Sequence, residues 1–260
     1  MRDDRASGTS VSGAVVLVTG ASGGIGQALV AALRHAGAAE VIAADRNASQ
    51  WPTGVTGLEL DVTQPEAAAR AAAEMGRVDI LINNAGVNAN QRLFAPGFSA
   101  AARQELEVNY FGLLNMAEAF APAMQKRGRG VIVNLLTFLG HVNLPLMASY
   151  CASKAAAHSI TQALRAELGP SGVRVLGVYP TVVDTQMSRN VPTAKLSPAQ
   201  LALDVIEAIR SGEEDLYPGT AAQAYQELLA DPKQVEHRMA MRVAAPRAAP
   251  ASPQLAQMAP

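Results

Sequence analysis

The segment Ala14-Val-Val-Leu-Val-Thr-Gly-Ala-Ser-Gly-Gly-Ile-Gly26 decides how this chain folds. Its first five residues form an uninterrupted apolar run, which predicts a strand that is covered on both faces. Four glycines follow within residues 20–26, and a helical pattern runs from Gly24 to His35. The segment therefore predicts a strand, a tight turn and a helix in direct succession.

The same alternation continues along the chain. Apolar runs predict further strands at residues 40–44, 57–60, 78–82, 130–135, 174–178 and 215–217. Helical patterns lie between them at residues 24–35, 65–75, 100–126, 150–168, from Ser197-Pro198 onward, and at 220–229. Strands that alternate with helices of this length require right-handed crossovers. The sequence therefore predicts one α/β domain with a doubly wound, mostly parallel sheet.

Composition limits both the size of that domain and its partners. A chain of 260 residues is long enough for one large core. We expect the domain to span residues 14–239, between a disordered arm at 1–13 and a disordered tail at 240–260. That tail contains four prolines and no acidic residue.

The charge balance is nearly neutral, with 21 Lys and Arg residues against 22 Asp and Glu residues. This argues against nucleic-acid binding and against a basic membrane-surface protein. No apolar run reaches the length of a membrane span. The single cysteine, Cys151, and four scattered histidines predict neither a disulfide nor a metal site. We expect a cytoplasmic protein.

The glycine turn is suited to a dinucleotide. Glycines let the backbone approach a pyrophosphate, which then lies at the helix N-terminus where free N–H groups favour negative charge. The alternative is that the glycines serve only a tight turn. Asp45 ends the second predicted strand and is placed to bind ribose hydroxyls, so NAD is preferred over NADP. Arg46 would instead favour a 2′-phosphate if Asp45 turned aside.

Short polar residues end the third and fourth strands at the same edge of the sheet. Asp61 and Val62 are expected near the adenine, although Asp61 is equally suited to capping the next turn. The segment Asn83-Asn-Ala-Gly86 is expected to contact the cofactor, with an Asx turn as the alternative.

Tyr150 and Lys154 are four residues apart on a predicted helix, which places their side chains on one face. Two such groups 4–6 Å apart interact by about 3–4 kcal/mol at an effective dielectric of about 20, equivalent to roughly two to three pKa units. We therefore expect the ammonium to lower the pKa of the phenol toward neutrality, where it is suited to general acid–base catalysis.

These motifs together resemble the short-chain dehydrogenase/reductase family, in its branch of roughly 250 residues. The resemblance covers residues 13–219 and rests on motifs that occur in family order. They are Thr19-Gly-x-x-x-Gly24-x-Gly26, Asn83-Asn-Ala-Gly86, Asn109, Tyr150-x-x-x-Lys154 and Pro180-x-x-x-x-Thr185.

The resemblance implies hydride transfer between a nicotinamide and a carbinol or carbonyl carbon. It implies that Tyr150 is the acid/base and that Lys154 holds the nicotinamide ribose and depresses the tyrosine pKa. Asn109 would position a water, and Thr137 stands where the family has a serine that hydrogen-bonds the reacting oxygen. Homodimers or homotetramers are a family expectation. The expected cofactor contacts are Gly20, Ser22, Gly24, Ile25, Gly26, Asp45, Arg46, Asp61, Val62, Asn83, Ala85, Gly86, Tyr150, Lys154, Pro180, Val183 and Thr185.

Two further departures from the family pattern bear on the site. Thr181 replaces the usual glycine after Pro180, which restricts the backbone beside the nicotinamide. The segment Glu214 to Gly219 lacks the family's valine-aspartate-glycine-glycine ending.

Mostly apolar residues are expected around the substrate, which favours a hydrophobic alcohol or ketone. The expected lining residues are Leu139, His141, Met147, Val182, Met187 and Val191. An alternative function is a non-catalytic dinucleotide sensor or scaffold on the same fold. An epimerase or dehydratase of the longer family branch fits the glycine spacing poorly.

Overall fold

A computed structural model describes residues 9–47 and 51–242 of the chain. It contains a seven-stranded sheet in the order β3-β2-β1-β4-β5-β6-β7, with every neighbouring pair parallel. The strands are β1 (Val15–Thr19), β2 (Glu40–Asp45), β3 (Thr56–Glu59), β4 (Ile80–Asn83), β5 (Gly130–Leu135), β6 (Val173–Val178) and β7 (Asp215–Leu216). The predicted doubly wound α/β fold is confirmed.

Eight α-helices connect and cover these strands within the described residues. They are α1 (Gly24–His35), α2 (Pro65–Met75), α3 (Phe98–Leu106), α4 (Gly112–Arg127), α5 (Ala148–Leu168), α6 (Pro198–Ser211), α7 (Ala221–Ala230) and α8 (Pro232–Met241). A π-helical segment, Glu107–Phe111, lies between α3 and α4. No helix in the described ranges is both long enough and apolar enough to cross a bilayer.

Alternation along the strands supplies a core on each face of the sheet. Val16 and Val18 pack with apolar residues of α1 and α6, such as Leu29 and Val205. Leu17 points to the opposite face and packs with residues of α2 and α4. This two-sided burial explains why β1 is apolar throughout.

The strand order changes direction between β1 and β4, because the chain moves from β1 out to β3 and then returns to the other side. In open parallel sheets, ligands bind outside the carboxyl ends of the strands at this point. The glycine turn after β1 and the Asn-Asn-Ala-Gly segment after β4 both lie there.

The ordered domain extends beyond the expected boundaries, residues 14 and 239, at both ends. Within the expected arm at 1–13, Val11 is buried in the core and the Thr9 N–H donates to the Ile209 carbonyl over 3.2 Å. The expected tail began at Ala240, but α8 continues to Met241. We therefore correct both boundaries, while residues 1–8 and 243–260 lie outside the described residues.

The sequence pattern did not predict α8. Its start is nevertheless marked in the sequence, since Asp231 accepts a hydrogen bond from the Gln234 N–H (2.9 Å) and Pro232 is the first helical residue. Asp followed by Pro is a typical helix start.

Candidate active site

The glycine turn after β1 has a backbone that other residues do not fit. Gly20 has a φ of +61°, and a Cβ added there would lie 2.7 Å from the Ala85 Cα. A Cβ on Gly26 would lie 2.6 Å from the Ala21 Cα and would also strike the Gly20 carbonyl oxygen. Both glycines are therefore required by close backbone packing, which supports the turn itself.

Residues after β4 hold this turn in place. The Asn84 side-chain amide donates to the carbonyls of Thr19 and Gly20, each over 2.9 Å. The Thr19 hydroxyl accepts from the backbone N–H groups of Asn84 (3.0 Å) and Ala85 (3.1 Å). The two motifs at the switch point therefore form one hydrogen-bonded unit.

A cavity of about 560 Å³ opens beside the turn, and we call it the glycine-turn cleft. Its walls come from the ends of β1 to β4 and from the loop after β6. The predicted cofactor contacts in its lining are Gly20, Gly24, Ile25, Gly26, Asp45, Arg46, Asp61, Val62, Ala85, Gly86 and Thr185. Asn84, part of the predicted Asn83-Asn-Ala-Gly86 segment, also lines it, as does Met187, which was expected in the substrate pocket. Lining residues that were not among the expected contacts are Gly23, Leu60, Val87, Asn88, Val108 and Gln186.

Asp45 and Arg46 lie side by side at one end of this cleft. The Asp45 carboxylate accepts from the backbone N–H of Ser22 (2.9 Å) and from the N–H of Arg46 (2.8 Å). The Arg46 side chain is exposed, and no hydrogen bond or ion pair joins its guanidinium to another described residue. The carboxylate is thus bonded to the protein backbone, whereas the guanidinium faces the cleft without an ion-pair partner in the described ranges.

Asp61 takes the turn-capping role considered from the sequence. Its carboxylate accepts from the N–H (2.9 Å) and the hydroxyl (2.8 Å) of Thr63 and so caps the turn before α2. The same residue lines the cleft.

Asn83 does not lie in the cleft, contrary to the expectation. It is buried in the sheet, and its amide donates to the Asn134 side chain over 2.9 Å. Asn134 in turn donates to the Thr161 hydroxyl over 2.9 Å. Because successive strand residues point to opposite sides, Asn84 rather than Asn83 reaches the glycine turn.

A second cavity of about 570 Å³, the tyrosine cavity, contains the Tyr150 side chain in its wall. It shares Ile25, Asn88, Thr185 and Met187 with the glycine-turn cleft, so the two cavities meet at these residues. Predicted residues in its lining are Thr137, Leu139, Met147, Tyr150, Pro180, Val182, Val183, Met187 and Val191. Three residues expected as cofactor contacts line the tyrosine cavity and not the glycine-turn cleft, namely Tyr150, Pro180 and Val183.

Lys154 is buried behind the glycine-turn cleft. Its ammonium donates to the Leu135 carbonyl over 2.8 Å, and a Cβ added to Gly86 would lie 3.5 Å from the nitrogen. Burial lowers the pKa of Lys154 to about 8. Lys154 therefore lies close to Gly86, which lines the cleft.

The expected lowering of the tyrosine pKa is wrong for this structure. Burial raises the pKa of Tyr150 above its usual value, and the nearby Cys151 and Glu105 raise it further. The cost of removing a phenolate from water exceeds any stabilisation by the ammonium. Tyr150 is consequently a neutral phenol near pH 7.

Asn109 lies in the π-helical segment between α3 and α4. Its amide oxygen accepts from the Val87 N–H (2.8 Å), and its nitrogen donates to the Val87 carbonyl and the Ser153 hydroxyl (both 2.9 Å). A cavity of about 10 Å³ beside it is also lined by Asn83 and Lys154. That volume is about what one water requires.

The Thr137 hydroxyl lies on the wall of the tyrosine cavity at the end of β5. It donates to the Pro180 carbonyl over 3.1 Å and accepts from the Leu139 N–H over 3.3 Å. A hydroxyl has one donor and two acceptor positions, so one acceptor position remains. Rotation about the C–O bond would redirect the proton into the cavity.

Thr181 replaces the glycine of the motif, yet its backbone does not adopt the positive φ that favours glycine. Asn90 is the one non-glycine residue with a positive φ in the described ranges. The Thr181 hydroxyl forms a 2.9 Å hydrogen bond with the Thr220 hydroxyl just before α7. The departure from glycine therefore links the loop after β6 to the C-terminal helices.

His141 is not among the described residues that line the tyrosine cavity, and we correct that expectation. It lies in an aromatic cluster with His158, Tyr179, Tyr217 and Tyr225, where its ring centroid is 4.6 Å from that of His158. Its Nε2 is 3.2 Å from the Tyr217 hydroxyl. Burial and the neighbouring His158 lower the pKa of His141 to about 4, so it is a neutral packing residue near pH 7.

Much of the tyrosine cavity was not predicted from the sequence. Residues near the start of α7 and on α8 complete its wall, namely Thr220, Ala224, Arg238, Met239 and Arg242. They are 70 or more residues beyond Tyr150 in the sequence, and no local motif connects them to it.

Comparison with known proteins places this geometry in a family. The family model described as short chain dehydrogenase matches residues 14–196. The chain is 32% identical over 239 residues to the rat dehydrogenase/reductase SDR family member 7B, covering 78% of this chain and 72% of the relative. It is 37% identical over 187 residues to the pig carbonyl reductase (NADPH) 2, covering 69% and 76%.

A solved structure is also similar over nearly its whole length. The crystal structure of a short-chain dehydrogenase from Burkholderia cenocepacia J2315 in complex with NADP is 42% identical, with a TM-score of 0.84. The match covers 89% of this chain and 99% of that one. The chain therefore belongs to the short-chain dehydrogenase/reductase family of oxidoreductases.

Proposed function

We propose that the chain reduces a hydrophobic ketone with NADPH and catalyses the reverse oxidation of the secondary alcohol with NADP. The observation that carries this proposal is the position of Tyr150 and Thr137 on one apolar cavity that opens into the glycine-turn cleft. A small-molecule carbonyl or alcohol in that cavity would contact both hydroxyls and reach the cofactor.

The cleft fits a dinucleotide. The α1 N-terminus, which begins at Gly24, faces the cleft, and close packing at Gly20 and Gly26 fixes the turn that leads into it. Backbone N–H groups at such a terminus are suited to a pyrophosphate. A bound reduced nicotinamide supplies the hydride that is added to the carbonyl carbon.

Tyr150 supplies the proton that completes the reduction. The phenol O–H breaks as the substrate oxygen gains its proton, so the carbonyl becomes an alcohol and the phenolate is later reprotonated from solvent. Burial raises the pKa of Tyr150 above its ordinary value, so the phenol carries its proton near pH 7 and has one to donate to a substrate oxygen.

Lys154 and Thr137 support that step. With a pKa of about 8, Lys154 is mainly a cation near pH 7, and it lies beside Gly86 where it would hold the nicotinamide ribose and stabilise a developing phenolate. The Thr137 hydroxyl would hydrogen-bond the substrate oxygen after rotating away from Pro180.

The cofactor preference reverses the one drawn from Asp45 alone. Both Asp45 oxygens accept backbone N–H groups, whereas the Arg46 guanidinium has no ion-pair partner in the described ranges and lines the cleft. A guanidinium is suited to a 2′-phosphate. The similar Burkholderia structure is a complex with NADP, and the pig relative is named as an NADPH enzyme.

A label-transfer assay tests the proposal. The purified chain is incubated with NADPH deuterated at C4, one stereoisomer at a time, and with a panel of aliphatic and aryl ketones. We expect deuterium at the carbinol carbon from one of the two isomers, detected by mass spectrometry. Tight NADPH binding without label transfer to any ketone would contradict the enzyme proposal and favour a dinucleotide sensor.

A further inference from the structure

Helix α8 brings two cations to the tyrosine cavity. Arg238 of α8 and Arg242, which directly follows the helix, both line it. Arg242 keeps helical backbone angles, so the two residues, four apart, lie on the same face. Both side chains are exposed, whereas Thr137 on the same cavity is buried. The arginines therefore lie at the mouth of the cavity and the reacting hydroxyls lie deeper.

The charge of this mouth is unbalanced. No aspartate or glutamate is among the described residues that line the cavity. Arg238 forms an ion pair with Glu227 of α7 at 2.7 Å. No side-chain hydrogen bond or ion pair joins Arg242 to another residue of the described ranges. One uncompensated positive charge therefore remains at the entrance.

Packing fixes this charge relative to the reacting groups. Val235 and Met239 of α8 are buried against Phe138, Leu144 and Cys151. Phe138 directly follows Thr137, and Cys151 directly follows Tyr150. The helix that carries Arg242 is thus packed on the segments that carry both hydroxyls.

We propose that the substrate carries a carboxylate at the end remote from its reacting oxygen, and that Arg242 binds this carboxylate. The inference rests on the proposed ketone reduction. An apolar cavity with reacting hydroxyls inside and a single net charge at the mouth fits an oxo-acid with an aliphatic body. Arg238, neutralised by Glu227, holds α8 to α7 and positions its neighbour.

Matched oxo-acids and oxo-esters test this assignment. Straight-chain acids from 6-oxoheptanoate to 10-oxoundecanoate are compared with their methyl esters, which keep the ketone and the aliphatic body but lack the charge. We expect kcat/KM for the best acid to exceed that of its ester by about 10-fold, as for a partly solvated charge-assisted hydrogen bond. Arg242→Gln is expected to abolish this difference by weakening the acid alone.

Arg210→Gln is the matched control, because Arg210 is exposed and lies on α6 outside the cavity lining. Arg210→Gln is expected to retain the preference for the acid. Both variants are expected to bind NADPH with unchanged affinity. Raising the salt concentration should reduce the preference. Equal kcat/KM for acid and ester at every length would overturn the proposal, and so would a stronger preference for the corresponding oxoalkyl phosphate.

Binding measurements separate this proposal from the proposed function. Calorimetry of the acids and esters against the NADPH complex of Tyr150→Phe reports affinity without turnover. An acid preference that Arg242→Gln removes would support the carboxylate site even if no ketone is reduced. Equal affinities in an enzyme that does reduce ketones would overturn the carboxylate site alone.

Discussion

The glycine-turn cleft and the tyrosine cavity are similar in volume but are built in different ways. Most of the cleft lining comes from the segments that directly follow β1 to β4, and it is rich in glycine. Most of the cavity lining comes from the segments 136–150, 180–194 and 220–242. In the proposed function, the local segments of the cleft would hold the dinucleotide. The side chains that distant helices supply to the cavity would select the substrate.

This contrast predicts that a change to the backbone of the cleft has the largest effect on nucleotide affinity. Gly26→Ala places a Cβ 2.6 Å from the Ala21 Cα, so the turn must move. The turn would then lose its N–H contacts with the phosphates, which should lower the affinity for NADPH by roughly 100-fold, or about 3 kcal/mol. Overpacking should also lower the free energy of unfolding by about 1–3 kcal/mol. Calorimetric titration and urea unfolding measure the two quantities.

Gly169→Ala is the control for this prediction. Gly169 has a φ of −54°, and a Cβ there meets no atom within 4 Å. It should change NADPH affinity by less than about twofold. Unchanged NADPH binding in Gly26→Ala would show that the glycine turn does not hold the nucleotide.

A change in the tyrosine cavity should instead spare nucleotide binding. Thr137→Val keeps the β-branch and removes the hydroxyl. The rate of hydride transfer in a single turnover should fall by about 100-fold, a typical effect of losing a hydrogen-bond donor to a reacting oxygen. Thr137→Ser should retain most of that rate. A hydride-transfer rate in Thr137→Val within twofold of wild type would show that the Thr137 hydroxyl takes no part in the reaction.

The smallest effect is expected at the exposed end of the cleft. Arg46→Ala should weaken NADPH by about 10-fold, because its charge-assisted bond to the 2′-phosphate is partly solvated. NADH affinity should stay within twofold, and Arg129→Ala, at an exposed site outside the cleft lining, should alter neither. Tighter binding of NADH than NADPH by the wild-type chain would refute the preference proposed for this cofactor.

The sequence predicted the fold and most of the cleft, because both depend on local patterns. Strand and helix periodicity located every strand, and the glycine motif located the turn. The direction of the Asp45 carboxylate was not predictable, since it depends on where the turn places the Ser22 N–H. The sequence does not show the exact end of β4. Asn83 was therefore expected in the cleft, although its side chain is buried in the sheet.

The tyrosine cavity shows what local patterns omit. The spacing of Tyr150 and Lys154 placed both on one helix. The direction in which the pKa of Tyr150 shifts depends instead on burial by the whole fold. His141 was expected among the residues that line the substrate pocket. Its aromatic partners extend to residue 225, and only tertiary contacts reveal them.

Tyr150→Phe tests the central claim most directly, because it removes only the oxygen that would donate the proton. We measure NADPH and ketone affinity by calorimetry and hydride transfer by stopped-flow absorbance in a single turnover. We expect both affinities to stay within twofold of wild type and the hydride-transfer rate to fall by about 100- to 10,000-fold. Hydride transfer at the wild-type rate would contradict it.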